Sequence, residues 1–207
     1  MNREELMKIV KTYYPQGVLL NDPNLSNHPT YKKLINVCLS CNNDQNQWKT
    51  FIAQLKKASS VEIKEFILLS DFNPSLIAVF LTSNYERPKP LTYEPLQLVL
   101  KMSVLAPVYM LYFDNFVSDW NKRIIRENPI TEREKQIFDQ VKNKIINFYD
   151  VYSQLDIAMA HYMLSDLGDI SISNNRKPYL DECIFGLYLS IHPHNILVDK
   201  IQKINVE

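Results

Sequence analysis

Few residues of this chain could do chemistry, and only Cys38 and Cys41 have a recognised spacing. Two thiols separated by two residues can ligate zinc or cycle through a disulfide. No second Cys-x-x-Cys and no His-x-x-x-His completes a zinc set. A redox pair is normally found at a helix start, whereas this pair falls near a predicted helix end. We therefore expect ordinary packing, with a thiol- or metal-dependent enzyme using Cys38 and Cys41 as the alternative.

The other candidate metal ligands are the histidines near the C-terminus. His192 and His194 could act together with Cys183 or His161, since imidazole and thiolate are common ligands. Pro193 between the two histidines is more typical of an exposed turn. We expect no metal site and no cofactor.

Nucleophilic and nucleotide chemistry lack their usual motifs. The sequence has no Gly-x-Ser-x-Gly and no His-Glu-x-x-His. Its three glycines, Gly17, Gly168 and Gly186, lie far apart, which excludes a glycine-rich phosphate loop. Scattered acidic residues are interpreted as solvated loop charges; these are Asp114, Asp119, Asp166, Asp169, Asp181 and Glu182. We expect no catalytic residue and a protein that is not an enzyme.

Aromatic residues beside charges form the candidate partner-binding surface. Aromatic and arginine side chains dominate the hot spots of protein interfaces. The sequence offers two such groups, Tyr85-Glu86-Arg87 and the run from Asp119 through Trp120 to Arg123. Tyr93 and Tyr179 also stand among charges and prolines. The alternative is that these rings fold back onto the edge of the core.

Composition limits the class of protein. The 207 residues hold 23 basic and 23 acidic side chains, so the basic footprint of a nucleic-acid-binding protein is missing. Zero net charge is compatible with a partner or a homodimer covering part of the surface. The polar N-terminus, the odd number of cysteines and the lack of a long apolar run predict a soluble cytoplasmic protein without membrane contact.

The elements that would position these residues begin with helices. Asn2 and Glu5 have the spacing of a capping box, Pro29 suits a first helical turn, and Asp44 with Gln47 could cap a third helix. The helix of clearest periodicity follows the Thr131–Glu134 capping box. Its apolar side contains Ile137, Phe138, Val141, Ile145, Phe148, Tyr149 and Tyr152.

The middle of the chain changes to the period of strands. Short apolar runs at 66–69 and 76–81 precede 96–104, where apolar residues alternate as in a strand that buries one face. Ala106-Pro107 interrupts this ladder before a second strand, Val108 to Phe113. Residues 157–164 are compatible with helix or strand, and 183–189 predict a strand. The whole chain, 1–207, is interpreted as a single α+β domain with N-terminal helices, a mainly antiparallel sheet and one long amphipathic helix.

Several segments resemble the immunity proteins of bacterial polymorphic or contact-dependent toxin systems. Ser103-Val-Leu-Ala-Pro-Val-Tyr109, with Tyr112, is similar to the strand signature Ser-Val-Leu-Gly-Pro-Tyr-Tyr, with Ala106 in place of glycine and Val108 in place of tyrosine. The other similar positions are Tyr14-Pro15, Tyr31, Trp48, Leu55, the long amphipathic helix and the closing run Tyr179-Leu-Asp-Glu-Cys-Ile-Phe185.

This resemblance implies a function without catalysis. Such proteins bind a cognate toxin domain in the cytoplasm and block its active site or its access to substrate. The implied partner is therefore a protein toxin, and neither nucleic acid nor membrane. A dimeric structural adaptor remains an alternative beside the thiol enzyme.

Overall fold

The computed structural model describes residues 1–15, 22–59, 61–66, 69, 74–81, 97–114, 124–160 and 179–186. Its first part is helical, as predicted. The helices are α1 (Arg3–Tyr13), a 3₁₀ turn (Leu25–Asn27), α2 (Pro29–Asn43) and α3 (Asn46–Ala58). Each buries an apolar face, and the described residues pack around one hydrophobic core.

Local capping explains where these helices begin. The Asn2–Glu5 box is confirmed, because Glu5 N–H donates to Asn2 Oδ1 at 3.0 Å and Asn2 N–H donates to Glu5 Oε2 at 2.8 Å. Pro29 begins α2 as predicted. The predicted Asp44–Gln47 cap of α3 is wrong. Asp44 lies one residue before the N-cap Gln45 and accepts instead from Asn46 N–H at 3.3 Å.

Within the described ranges the sheet has six strands, and it is mainly antiparallel, as predicted. The strands are β1 (Ile63–Phe66), β2 (Ser75–Phe80), β3 (Gln97–Ser103), β4 (Val108–Asp114), β5 (Ile125–Arg126) and β6 (Ser153–Gln154). Strands β1 to β5 are neighbours in sequence order, and β6 pairs with β4 in parallel. The predicted break at Ala106-Pro107 is confirmed, because these residues lie in the connection between β3 and β4.

The remaining helices are α4 (Glu132–Phe148), α5 (Ile157–Ala160) and α6 (Leu180–Phe185). Helix α4 is the predicted amphipathic helix, but it ends before Tyr149 and Tyr152. The strand predicted for 183–189 is wrong over 183–185, which are helical; 187–189 lie outside the described residues. Glu182 accepts a hydrogen bond from Tyr179 N–H at 2.9 Å, which starts α6, and Gly186 ends it at φ 88°.

The central strands β2, β3 and β4 are buried on both faces, so the prediction that β3 buries only one face is wrong. Val99, Lys101 and Ser103, on the face predicted to be polar, are 0%, 0% and 1% exposed. Helix α6 covers this face, since Ser75 and Ser103 donate to the carbonyls of Phe185 and Ile184. On the opposite face Phe138 of α4 stacks on Phe113, with ring centroids 6.1 Å apart.

The same covering buries acidic residues that were predicted to be solvated. Asp114, Asp181 and Glu182 are at most 2% exposed, so that interpretation is wrong for them. Asp181 and Glu182 lie in the first turn of α6, where the positive end of the helix dipole favours carboxylates. Asp119, Asp166 and Asp169 lie outside the described residues.

Glu134 connects the start of α4 to the sheet, and its pKa predicts a testable pH dependence of stability. Burial acts to raise the pKa of Glu134, but hydrogen bonds from Ile130 N–H, Arg126 and Thr131 N–H outweigh it and lower that pKa. A lowered folded-state pKa stabilises the protein above the ordinary value of 4.5, and this contribution is lost as pH falls through the folded-state pKa.

We expect Glu134→Gln to lower the free energy of unfolding by about 1–2 kcal/mol at neutral pH, because the cap and its charge-assisted bond weaken. The difference from the wild type should shrink as the solution is acidified below pH 4.5. Urea denaturation across this range measures both effects. Glu132→Gln, an exposed substitution in the same first turn, is the matched control; an unchanged difference at low pH would contradict the assignment.

Candidate binding groove

An open groove of about 390 Å³ lies where the end of α2, the start of α3, the end of β3 and the residues after α4 meet. This volume is in the range of small-ligand pockets, roughly 300–1,000 Å³. The residues that give the groove its chemistry are Cys41, Asp44, Trp48, Ser103, Tyr149 and Tyr152.

One wall of the groove is aromatic. Phe51 lies behind it, with its ring centroid 5.6 Å from that of Trp48 and 5.4 Å from that of Tyr149. Tyr149 and Tyr152 meet edge to face at 5.3 Å. The Tyr152 hydroxyl donates to the Ser103 carbonyl at 3.2 Å, which fixes this ring against the end of β3. The wall is therefore held by core packing and is preformed.

The buried indole N–H of Trp48 is a further feature of this wall. It has no hydrogen-bond acceptor within the described ranges. A buried donor without an acceptor costs on the order of 1–3 kcal/mol, so a water or a carbonyl oxygen that reaches it would stabilise the site.

The described residues that line the groove carry little formal charge. Burial, followed by the neighbouring Tyr152 and Cys41, raises the pKa of Tyr149, and burial with Cys41 raises the pKa of Tyr152. Both phenols are therefore neutral at physiological pH. Among the described residues that line the groove, the exposed Asp44 carries the only formal charge.

The two cysteines of the candidate thiol motif have different surroundings. Cys38 is buried in the core on α2, as expected for packing, while Cys41 is half-buried and lines the groove. Burial and the negative charge of Asp44 raise the pKa of the Cys41 thiol. A redox or nucleophilic thiol needs a lowered pKa, so this environment disfavours the thiol-enzyme alternative. The residues that the structure describes contain no group of three potential metal ligands.

Thiol alkylation tests this description. All three cysteines are free, and Cys38 and Cys183 are buried, so iodoacetamide should modify Cys41 alone in the folded protein. Because the pKa of Cys41 is raised, alkylation should be slow at neutral pH and reach its midpoint above pH 9.0. Peptide mass analysis locates the label, and Cys41→Ser is the control that should abolish it. Rapid alkylation of Cys41 at neutral pH would restore the thiol-enzyme alternative.

The residues predicted to bind a partner stay predictions. Tyr85, Glu86, Arg87, Asp119, Trp120 and Arg123 all lie outside the described residues, as do Tyr93, His161, His192 and His194. The groove was missed by sequence reasoning. The sequence pattern places Tyr149 on the apolar side of the long helix and Asp44 at a helix cap. Two signals were present: aromatic residues at the end of the long helix, and a carboxylate between two helices.

Comparisons with known proteins add no relative. No family model matches the chain, and neither curated proteins nor solved structures give a match. Within the described residues, no helix combines the length and the apolar character needed to cross a membrane.

Proposed function

We propose that this chain is an immunity protein that binds a cognate bacterial toxin domain in the cytoplasm, in a one-to-one complex, and neutralises it. The protein holds the toxin and catalyses no reaction. The proposal starts from the resemblance in sequence, which names the partner class and leaves the particular toxin open.

The observation that carries the proposal is the way the resembling segments meet. The Tyr14 hydroxyl donates to the Cys183 carbonyl at 3.0 Å, and Ser103 Oγ donates to the Ile184 carbonyl at 2.8 Å. Residues at the end of the first helix, in the strand signature and in the closing segment thus form one hydrogen-bonded unit. This supports the view that the short similarities belong to one structural pattern and are not separate chance matches.

The groove supplies the second support. It has a preformed aromatic wall and an exposed carboxylate, a combination suited to holding a protein side chain. The raised pKa of Cys41 disfavours the rival thiol chemistry. Six residues outside the described ranges remain further candidates for toxin contact: Tyr85, Glu86, Arg87, Asp119, Trp120 and Arg123.

Affinity capture followed by rescue tests the function. The tagged chain is used as bait in lysate of its source organism, and the captured protein is identified by mass. We expect a stoichiometric partner with a C-terminal domain that kills cells when expressed alone and is harmless when co-expressed with this chain. Phe51→Ala, which we expect to weaken both the core and the groove, should rescue less well than the unmodified chain. Recovery of the chain alone as a dimer, or a partner whose toxicity the chain does not relieve, would overturn the proposal.

A further inference from the structure

We propose that the groove receives an arginine side chain of the partner protein. This inference deepens the proposed function and rests on it, since the partner meant is the toxin domain. It follows from three properties of the groove: its charge, its aromatic wall and its size.

The charge of the groove favours a cationic guest. Asp44 is the one charged residue among the described lining residues, and it is exposed. Asp44 Oδ1 accepts from Asn46 N–H at 3.3 Å, which orients the carboxylate at the junction of α2 and α3. A guanidinium can donate to a carboxylate through two parallel N–H groups, whereas an anionic guest would be repelled.

The aromatic wall favours a guanidinium over an ammonium. Tyr149 and Tyr152 line the groove as neutral phenols, and the partly exposed Tyr152 gives this wall an aromatic surface without a competing negative charge. The flat, weakly hydrated guanidinium stacks on aromatic rings, while the ammonium of lysine is a strongly hydrated point charge. The aromatic wall can therefore stack on a guanidinium, and the carboxylate can accept hydrogen bonds from its N–H groups.

The size and openness of the groove favour a side chain from a macromolecule. Its volume of about 390 Å³ has room for one long side chain with some water. Ser40, Asp44 and Gln47 are exposed at its rim, so a side chain on a docked surface can enter from solvent. A divalent metal ion is a poor guest, because the groove offers one carboxylate and a thiol whose pKa is raised.

Titration with a short peptide tests the inference without the toxin. The probe is N-acetyl-Gly-Arg-Gly-amide, and the comparison probes replace arginine by citrulline, its neutral isostere, or by lysine. The readout is the indole N–H signal of Trp48 in a nitrogen–proton NMR spectrum. A Trp120→Phe variant assigns this signal, because the chain has two tryptophans.

We expect a saturable shift with the arginine peptide in the millimolar range and binding at least about tenfold weaker with citrulline. Lysine should bind more weakly than arginine. No saturable shift, or equal binding of the citrulline or lysine peptide, would overturn the inference.

Asp44→Asn should remove the preference for arginine over citrulline. The asparagine oxygen can still accept from Asn46 N–H, so the turn is preserved. The matched control is Asp156→Asn. Asp156 is likewise exposed and accepts from the backbone N–H of Met159 at 2.6 Å, but it does not line the groove. This control should keep the preference, and a preference that survives Asp44→Asn would overturn the assignment.

The inference and the proposed function can fail separately. If a toxin is captured and its affinity is unchanged by Asp44→Asn, the immunity function holds and the arginine site is wrong. If the peptide preference is found but the captured partner is not toxic, the arginine site holds and the immunity function is wrong.

Discussion

Replacing Phe51 by alanine should lower the free energy of unfolding by about 3–5 kcal/mol, the usual cost of deleting a large buried aromatic side chain. Phe51 is fully buried and touches three other aromatic rings, those of Trp48, Phe148 and Tyr149. Its removal leaves a cavity between α3 and the end of α4, and the surrounding rings are too constrained to fill it. Urea denaturation followed by circular dichroism measures the loss.

A conservative variant and a surface variant set the scale for this prediction. Phe51→Leu should cost clearly less than Phe51→Ala, because most of the buried volume is retained. Leu39→Ala on α2 removes a side chain that is 55% exposed and should change stability by about 0.5 kcal/mol or less. A Phe51→Ala loss as small as that of Leu39→Ala would mean that the aromatic cluster is not part of the core.

Phe51 also supports the wall of the groove. Phe51 lies behind Trp48 and Tyr149, so its loss should loosen the aromatic wall as well as the core. Because Phe51→Ala weakens the whole core, the milder Phe51→Leu is the variant for binding: a loss of binding reports on the support of the wall, while Asp44→Asn reports on charge. The two variants separate the preformed shape of the groove from its electrostatics.

Local signals in the sequence predicted helices α1 to α4, but not α6. The capping boxes at Asn2 and Thr131 are confirmed, and each depends on residues only three positions apart; the Asp44–Gln47 pair has the same spacing and is not a cap, so spacing alone is not sufficient. The Ala106-Pro107 break is equally local, since proline removes a donor from any ladder. Elements specified within one turn of the chain could thus be read before any tertiary contact was known.

The covering of β3 could not be predicted in this way. Lys101 and Ser103 alternate with apolar residues, and polar alternation is also what a solvent-facing strand shows. What buries them is α6, some 80 residues further along the chain, whose backbone carbonyls accept from the serines of the sheet. Lys101 lies 5.7 Å from the centre of the Phe185 ring, a further contact that only the tertiary fold creates.

The groove could not be predicted from local sequence patterns either, because it is formed by residues from distant parts of the chain. Asp44 and Tyr152 are separated by more than 100 residues, and periodicity assigns a ring to a buried face without showing that its edge borders a cleft. The residues proposed from aromatic-and-charge composition, such as Trp120 and Arg123, lie outside the described residues and stay predictions. Composition pointed to aromatic and charged residues as candidates for recognition but could not locate the groove.

The hydrogen bonds between the sheet serines and α6 lead to the second prediction of a large effect on stability. Ser103 Oγ donates to the Ile184 carbonyl at 2.8 Å and accepts from the N–H groups of Leu105 at 3.1 Å and Ala106 at 3.3 Å. All of these groups are buried, so Ser103→Ala leaves one acceptor and two donors to find other partners. We expect the free energy of unfolding to fall by about 2–4 kcal/mol, since each stranded group costs about 1–3 kcal/mol and the costs do not add fully. Urea denaturation measures the change.

Two further alanine substitutions give the scale for this result and show how much the hydrogen bonds of Ser103 contribute. Ser75→Ala loses a single bond, the 2.7 Å donation to the Phe185 carbonyl, and should cost about 1–2 kcal/mol. Thr12→Ala removes an exposed hydroxyl bond within α1 and should change stability by about 0.5 kcal/mol or less. Hydrogen exchange adds a local readout: Ser103→Ala should speed exchange at 183–186 more than Thr12→Ala does. If Ser103→Ala lowers stability no more than Thr12→Ala does, the carbonyls of α6 do not hold this helix to β3. The hydrogen-bonded unit that joins the strand signature to the closing segment would then no longer support the immunity function.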